Sequence, residues 1–433
     1  MPAQAEHCDG WASPGAPACR SYWLAVATVL GLALVAGLGA CGSGQRARSA
    51  AFVPVAPSRC TQTVVATLAQ VARRVYSEAA RGRTATQARQ RVEGSADLAR
   101  AVARDDPAAT RSAAQGLRAG QIVALQVRRG NRLLADLGTS PVLAPVSGAL
   151  RDARGHEVGR FVLSVQADHG YLNLIQRITG AQVLLRNRDL QVAATTDLGP
   201  APVPDQGTVT LRGEAYEVVS FAAEAFPSGP LHVSLLIPVP LASACAGTDA
   251  QTVADTLGAV AMRVYDEERA SQYVSDAARY VASSRLLATA AARNDAAGMR
   301  RAIVGFFNSH IHIVRVRVTR GAQVLTDIGG PYVLAPVSTA LIDARGNPVA
   351  QATFAVQDDL GYVILIHRFT GAQVLLSTHG HQIMGTLIPG PAQVPDRGPF
   401  VYAARHYDAL SFTREAFPFG PLRISVLAPA GAP

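Results

Sequence analysis

The stretch TGAQVLL occurs twice in this sequence, at Thr179–Leu185 and again at Thr370–Leu376. Three further matches keep the same spacing between the two halves of the chain: LAPV at 143–146 and 334–337, VPD at 203–205 and 394–396, and EAFPSGPL at 224–231 against EAFPFGPL at 415–422. A mixed heptapeptide that recurs in this way indicates an internal duplication. The repeated unit is too long for a solenoid repeat, so we expect a whole duplicated domain. Any functional site should therefore exist twice, or once with a degenerate copy.

The composition excludes several classes of function. The formal charge is +9, and all 40 basic residues are Arg. A chain without Lys has no Schiff-base lysine, no P-loop lysine and no protein-kinase core. The arginines are scattered among Asp and Glu through both halves and lack the clustering that a nucleic-acid footprint requires. We therefore expect no nucleic-acid partner.

An apolar run from Tyr22 to Ala40 has the length of a secretory hydrophobic segment or of a minimal membrane span. The residues at its end, Leu38-Gly39-Ala40-Cys41, resemble the lipobox of bacterial lipoproteins, in which the Cys is lipidated and becomes the mature N-terminus. This resemblance predicts a lipoprotein signal peptide over 1–41, a flexible linker over 42–59 and a lipid anchor on the extracytoplasmic side of the cell membrane. An uncleaved membrane span is the alternative.

Cysteine usage agrees with export. Two cysteines, Cys8 and Cys19, belong to the leader, and Cys41 would carry the lipid. The remaining two, Cys60 and Cys245, each come shortly before the first helix of a repeat, and a disulfide between them is expected in an oxidising compartment. Two free thiols are the alternative, because spacing alone does not bring two Cα atoms within bonding range.

Each half has the same predicted order of elements. Val64, Leu68, Val71 and Val75 recur at helical spacing, as do their counterparts in the second half, which predicts a long amphipathic helix with one buried face. Further helices follow, and then five or six mostly antiparallel strands with one short helix inserted. Gly180 is expected to end that short helix. We place the first domain at 60–240 and the second at 241–433.

This order resembles the extracytoplasmic Cache sensor domains, the PAS-like modules of bacterial receptors. The resemblance lies in the long leading helix, in the hairpin before LLADLG at 133–138, and in RFVLSVQADHGY at 160–171 followed by a helix and TGAQVLL. It implies an α+β fold of two tandem PAS-like domains, each with a long N-terminal helix packed on a mostly antiparallel sheet. It also implies a small organic ligand, often a carboxylate or an amino acid, in a pocket on one sheet face. Since no kinase core or methyl-accepting coiled coil follows the second copy, signalling is expected to need a membrane partner.

The second repeat offers the better candidates for an anion site. Val314, Val316 and Val318 alternate with Arg315 and Arg317, so valines that pack on the leading helix would leave both arginines on the opposite sheet face. A guanidinium on that face would bind a carboxylate through two hydrogen bonds. The alternative is a face that meets solvent.

Two tyrosines complete the candidate ligand-binding set. Tyr332 lies just before LAPV, where the first repeat has Pro141, and is expected to close over the ligand. Tyr362 is shared with the first repeat as Tyr171, and both lie on an apolar helix face. The competing interpretation of this pair is a core tyrosine with its hydroxyl near the surface.

No enzyme motif is present, and we expect neither catalysis nor a cofactor. The closest metal-like spacings, His310-Ile311-His312 and His379-Gly380-His381, lack a third ligand and have no counterpart in the first repeat. The predicted function is therefore a sensor-type lipoprotein that binds a small molecule and acts through a partner. A structural or adhesive surface module without a working pocket is the alternative.

Overall fold

The computed structural model describes residues 58–118, 122–138, 141–187, 190–196, 203–309, 312–418 and 420–431. The predicted signal peptide with Cys41 and the predicted linker as far as residue 57 lie outside these described residues. The first repeat contains α1 Arg59–Arg81, α2 Arg83–Glu93, α3 Ala96–Ala103, α4 Pro107–Leu117, β1 Ala124–Arg129, β2 Arg132–Gly138, β3 Val142–Leu143, β4 Val146–Arg151, β5 Glu157–Ser164, β6 Gln166–Ala167, α5 Asp168–Thr179, β7 Gln182–Asn187, β8 Leu190–Ala194, β9 Gln206–Leu211, β10 Glu214–Phe226 and β11 Gly229–Pro238.

A one-turn helix, α6 at Val239–Ala242, joins the first repeat to the second, which has the same order of elements. The second repeat contains α7 Asp249–Ala270, α8 Gln272–Ala282, α9 Arg285–Ala292, α10 Ala296–Phe307, β12 Arg315–Arg320, β13 Gln323–Gly329, β14 Val333–Leu334, β15 Val337–Ile342, β16 Pro348–Ala355, β17 Gln357–Asp358, α11 Asp359–Thr370, β18 Gln373–Thr378, β19 His381–Gly385, β20 Arg397–Tyr402, β21 Arg405–Phe417 and β22 Gly420–Pro429.

Each repeat builds two antiparallel sheets. In the first repeat, a four-stranded sheet has the order β2-β1-β5-β4, and a seven-stranded sheet has the order β6-β3-β10-β11-β7-β8 with β9 paired to β10. The second repeat reproduces both sheets as β13-β12-β16-β15 and β17-β14-β21-β22-β18-β19, with β20 paired to β21. The predicted fold class, two similar α+β units with antiparallel sheets, is confirmed. The predicted five or six strands per repeat are too few, because the described strands form two sheets.

The leading helices begin at side-chain caps. Ser58 Oγ accepts a hydrogen bond from the Thr61 amide at 3.1 Å, and Thr248 Oγ1 accepts one from the Gln251 amide at the same distance, so each satisfies a first-turn donor. Behind the first cap, the valines and leucine predicted for the buried face of α1 are at most 3% exposed. The helical periodicity in the sequence is thus confirmed, and α1 and α7 pack on the seven-stranded sheets.

The four-stranded sheets have their own helical layers. Helices α2 to α4 cover one face of the first sheet, and α8 to α10 cover the same face of the second. Leu98 and Phe161 are fully buried in the first of these cores, as are Leu287 and Phe354 in the second. Each four-stranded sheet and the helices that cover it therefore form a second α+β unit, with its own core, within the repeat.

The short inner helices end at glycine, as expected. Gly180 follows α5 with φ +76°, and Gly371 follows α11 with φ +74°, a left-handed conformation that favours residues without a Cβ. A Cβ on Gly371 would also lie 2.6 Å from the guanidinium carbon of Arg74 on α1. The end of each inner helix is thus a contact between the repeats, since Arg263 on α7 approaches Gly180 in the same way.

One hydrophobic core joins the two repeats. Helices α1, α5, α7 and α11 all contribute to it, with Leu68 and Ile175 from the first repeat and Val260 and Ile366 from the second. The first turns of α1 and α7 lie side by side, as the 2.7 Å ion pair between Arg59 and Asp249 shows. The two units therefore form a single packed body over the described residues.

A disulfide bond links Cys60 to Cys245 at this end of the molecule, with a Cα–Cα distance of 5.8 Å. The bond joins the start of α1 to the segment that leads into α7. None of the helices in the described ranges combines the length and the apolar content needed to cross a bilayer.

Candidate functional site

A row of polar side chains crosses the four-stranded sheet of the second repeat. Arg317 on β12 lies opposite Asp327 on β13 and opposite Thr353 on β16, and Thr353 in turn lies opposite Ser338 on β15. The hydroxyl oxygens of Ser338 and Thr353 are 2.7 Å apart and form a hydrogen bond. These four residues, which we call the polar row, run across all four strands on one face of the sheet.

The opposite face of the sheet is apolar and explains this orientation. Val316 and Val318 are fully buried against α8 to α10, so alternation directs Arg315 and Arg317 away from those helices. The expectation that these valines pack on the leading helix is wrong, because α7 covers the other sheet. Val314 belongs to a separate small cluster with Val333, Ala355 and Phe417.

Both arginines bind the same carboxylate. Arg315 donates from Nε to Asp327 Oδ1 at 2.8 Å and from Nη2 to Oδ2 at 2.9 Å. Arg317 donates from Nε and Nη2 to Oδ2 at 2.9 and 2.6 Å. Burial alone would raise the pKa of Asp327, but the hydrogen bonds and charges of the two guanidiniums outweigh it, and the pKa is lowered.

This cluster carries one positive charge in excess, since two guanidiniums share one carboxylate. The remaining Nη1 of Arg315 donates to the carbonyl oxygens of Gly330 and Pro331, the latter at 3.3 Å. Over the described residues, Nη1 of Arg317 makes no hydrogen bond, and its side chain is 24% exposed. Phe417 lies beneath it, with the ring centre 4.5 Å from the guanidinium carbon. Arg317 therefore offers one accessible, charged pair of donors.

The first repeat lacks this arginine pair, although Arg128 Nε donates to Gln126 Oε1 at 2.9 Å. Its row has Gln126 in the place of Arg317, Val162 in the place of Thr353, and Ala124 in the place of Arg315. Gln126 Nε2 donates to Asp136 at 3.4 Å, so the carboxylate that corresponds to Asp327 meets an amide instead of two guanidiniums. The duplication thus supplies an internal comparison for the site.

The two tyrosines lie in different surroundings. Tyr332 is half-buried and directly follows Pro331, whose carbonyl oxygen accepts a hydrogen bond from Arg315. Tyr362 is fully buried in the core shared by the repeats, and its hydroxyl donates to the Ala261 carbonyl on α7 at 2.8 Å. The structure therefore does not bring Tyr362 to the polar row.

The idea that this tyrosine pair keeps its hydroxyls near the surface is also wrong. Tyr171 donates to the Ala72 carbonyl on α1 at 2.9 Å, in the same way as Tyr362 does to α7, and neither side chain is exposed. Burial raises the pKa of both hydroxyls far above the ordinary value. Each tyrosine ties an inner helix to the leading helix of its own repeat.

The sequence interpretation missed a second feature of the same repeat. A cavity of about 330 Å³ lies on the face of the seven-stranded sheet that is turned away from the leading helices, and Ser377, Gln382, Arg423 and Ser425 line it. Among the described residues, Oε1 of Gln382 is buried there and has no hydrogen-bond partner. A polar molecule in this cavity would find donors and acceptors on its walls.

The first repeat arranges the corresponding positions differently. Arg186 replaces Ser377, and His232 replaces Arg423. Arg186 reaches across the sheet face to Asp205 at 2.8 Å and to the hydroxyl of Ser234 at 3.1 Å. The arginine thus lies on β7 in the first repeat and on the strand paired with β18 in the second. This difference in sequence distinguishes the corresponding sheet faces of the two repeats.

Comparisons with known proteins come from solved structures. No family model matches this chain, and no curated protein sequence matches it. The periplasmic domain of LuxQ from Vibrio cholerae is similar over 41% of this chain and 98% of its own, with 10% identity and a TM-score of 0.26. Its selenomethionine form gives 11% identity over 41% of this chain and 96% of that one, with the same TM-score. Both are periplasmic domains.

An extracellular ligand-binding receptor from Desulfohalobium retbaense is similar over 52% of this chain and 47% of its own, with 11% identity and a TM-score of 0.26. These scores are too low to transfer a function.

Across the described residues, no three His, Cys, Asp or Glu side chains come together as a metal site. Of the two histidine pairs in the sequence, His310 lies outside the described residues and His312 is exposed. His379 lies in the exposed turn between β18 and β19, and His381 is the exposed first residue of β19.

Proposed function

We propose that this chain is an exported, sensor-type protein that binds a small organic anion, a carboxylate or an amino acid, and acts through a membrane partner. One observation carries the proposal, namely the excess positive charge of Arg315 and Arg317 around Asp327 on a polar sheet face. A half-buried guanidinium is stabilised by an anion, and Arg317 has one pair of donors to spare.

The polar row gives the ligand further partners. Thr353 and Ser338 continue the row from Arg317 with hydroxyls, which suit a hydroxy acid or the amino group of an amino acid. Tyr332 follows Pro331, which accepts a hydrogen bond from Arg315, and is proposed to close over the ligand. Tyr362 is not part of this proposal, because its hydroxyl is used in the core.

The decisive experiment is calorimetry with a ligand found by thermal-shift screening of organic acids and amino acids. Arg317→Ala should weaken binding by about 2 kcal/mol, the effect of losing a charged hydrogen bond. Gln126→Ala, at the same position in the first repeat, should leave the affinity unchanged.

Two outcomes would contradict the proposal. Equal affinity in Arg317→Ala and wild type removes the arginine from the site, and weakening by Ser377→Arg alone would move the ligand to the seven-stranded sheet. If no organic acid or amino acid stabilises the protein, the structural or adhesive module becomes the better interpretation.

Export and anchoring belong to the same proposal. The disulfide between Cys60 and Cys245 supports an oxidising compartment, and the lipobox-like residues before Cys41 support a lipid anchor. In cells grown with radiolabelled palmitate, the wild-type protein should take up label and Cys41→Ala should take up none. Label that persists in Cys41→Ala would refute lipidation at this residue.

A further inference from the structure

A cavity of about 270 Å³ lies between the two repeats, where α5, α7 and α11 meet. Its apolar wall combines both halves of the chain: Leu174, Ile178, Val264, Leu365 and Phe369. Its polar wall comes chiefly from the last turns of α7 and from Arg177 on α5. This inter-repeat cavity lies between helices and is separate from the polar row, which lies on the four-stranded sheet of the second repeat.

The charges in this cavity do not balance. Arg177 pairs with Glu267 across the repeats, with 3.3 Å between Nη1 and Oε2. The neighbouring Glu268 is half-buried, and over the described residues it forms neither an ion pair nor a hydrogen bond. Burial, and then the charge of Glu267, raise the pKa of its carboxyl. The cavity wall therefore holds two carboxylates against the single guanidinium of Arg177, in a protein whose formal charge is +9.

The duplication shows that this carboxylate is not needed for packing. When α1 and α7 are aligned on Val64 and Val253, the residue of the first repeat that matches Glu268 is Ala79. Ala79 is 9% exposed and belongs to the same shared core. The other charged pair has a full counterpart in sequence, with Glu78 for Glu267 and Arg368 for Arg177. Of the two leading helices, α7 alone has a carboxylate at this position, where the Ala79 methyl group of α1 already fills the space in the core.

We propose that the inter-repeat cavity binds a small organic ammonium ion with an apolar body. Its ammonium group would pair with Glu268, and its apolar part would lie against the leucine, isoleucine and phenylalanine side chains of both repeats. Tyr273, at 45% exposure, lies at the edge of the cavity and offers an aromatic ring to the same cation. Because the walls come from both repeats, such a ligand would bind at their junction.

The test uses 2-phenylethylammonium chloride as the probe and isothermal titration calorimetry on the full mature chain. Wild type should bind the probe, and Glu268→Gln should weaken binding about tenfold or more, since a charge-assisted contact is lost without a change of shape. Uncharged 2-phenylethanol, of nearly the same shape, should bind wild type no better than it binds Glu268→Gln. Glu78→Gln, which removes the counterpart on α1 of the neighbouring Glu267, is the control and should bind the probe as wild type does.

A second variant tests the cavity independently of the charge. Leu365→Trp adds bulk to the apolar wall and should weaken probe binding by a similar factor, with circular dichroism to confirm folding. Arg317→Ala should have no effect on the probe, so failure here is distinguishable from failure at the anion site. The proposal would be overturned if wild type gave no heat of binding, or if either Glu268→Gln or Leu365→Trp bound the probe as tightly as wild type does.

Discussion

Replacing Asp327 with Asn is expected to lower the free energy of unfolding by roughly 2 kcal/mol, because two half-buried guanidiniums lose the carboxylate that they share. The Asp327 side chain is only 19% exposed, so water compensates little of this loss. Thermal or chemical denaturation of the two proteins measures the difference. Asp136→Asn, in the first repeat, is the matched control and should cost less, since Asp136 meets Gln126 instead of two guanidiniums.

The same variant tests the anion site directly. In Asp327→Asn, Arg315 and Arg317 no longer have a carboxylate partner and are expected to bind an added anion. Citrate should therefore stabilise Asp327→Asn more than it stabilises wild type. An equal effect of citrate on both proteins would mean that the freed guanidiniums are not accessible to a ligand.

The pH dependence of this ion pair has a definite sign. The folded pKa of Asp327 lies below its ordinary value, so its contribution to stability is complete above the pKa of the unfolded chain. That contribution is lost as the pH falls through the folded pKa. The stability gap between wild type and Asp327→Asn should therefore close in acid, and a gap that widens there would contradict the ion-pair assignment.

Removing the disulfide with the double change Cys60→Ser and Cys245→Ser is expected to have the largest effect on stability. The two cysteines are 185 residues apart, so the bond closes a long loop in the unfolded chain and lowers its entropy. For a loop of this length, the resulting stabilisation of the folded state is on the order of 5 kcal/mol. The double variant avoids the free thiol that a single substitution would leave. Its melting temperature should fall well below that of the oxidised wild type.

The shared hydrophobic core should still hold the double variant together, because Leu68, Ile175, Val260 and Ile366 pack across the repeats without help from the bond. Wild type treated with a reductant is the control and should melt with the double variant. If all three proteins melt together, the bond restrains the unfolded chain far less than its loop length implies.

The helical parts of this fold were predictable from the sequence, whereas the division into two sheets was not. Spacing alone identified the buried faces of α1 and α7, because a helix is a local structure. Which strands share a sheet depends on partners far apart in the chain, such as Ala225 on β10 with Leu143 on β3. Alternating valines on β12 showed that one face is buried but did not show which helices cover it.

A β-bulge explains why the sequence did not predict Asp327 as the partner of Arg315 and Arg317. Between β12 and β13, Thr319 lies opposite Val324, but Val318 lies opposite Thr326, so the register shifts by one residue. Without that shift, Asp327 would lie on the valine face. The bulge brings it opposite Arg317, and a hairpin counted from its turn therefore assigns this carboxylate to the wrong side.

The core that joins the two repeats makes their pairing independent of dilution. Two separate copies would associate only above a concentration set by their dissociation constant, whereas one chain holds its halves at a fixed high effective concentration. Linked halves can also differ, as Glu268 and Ala79 do, without any risk that two identical partners assemble instead. A chemically unequal pair is thus produced in a strict one-to-one ratio each time the chain is synthesised.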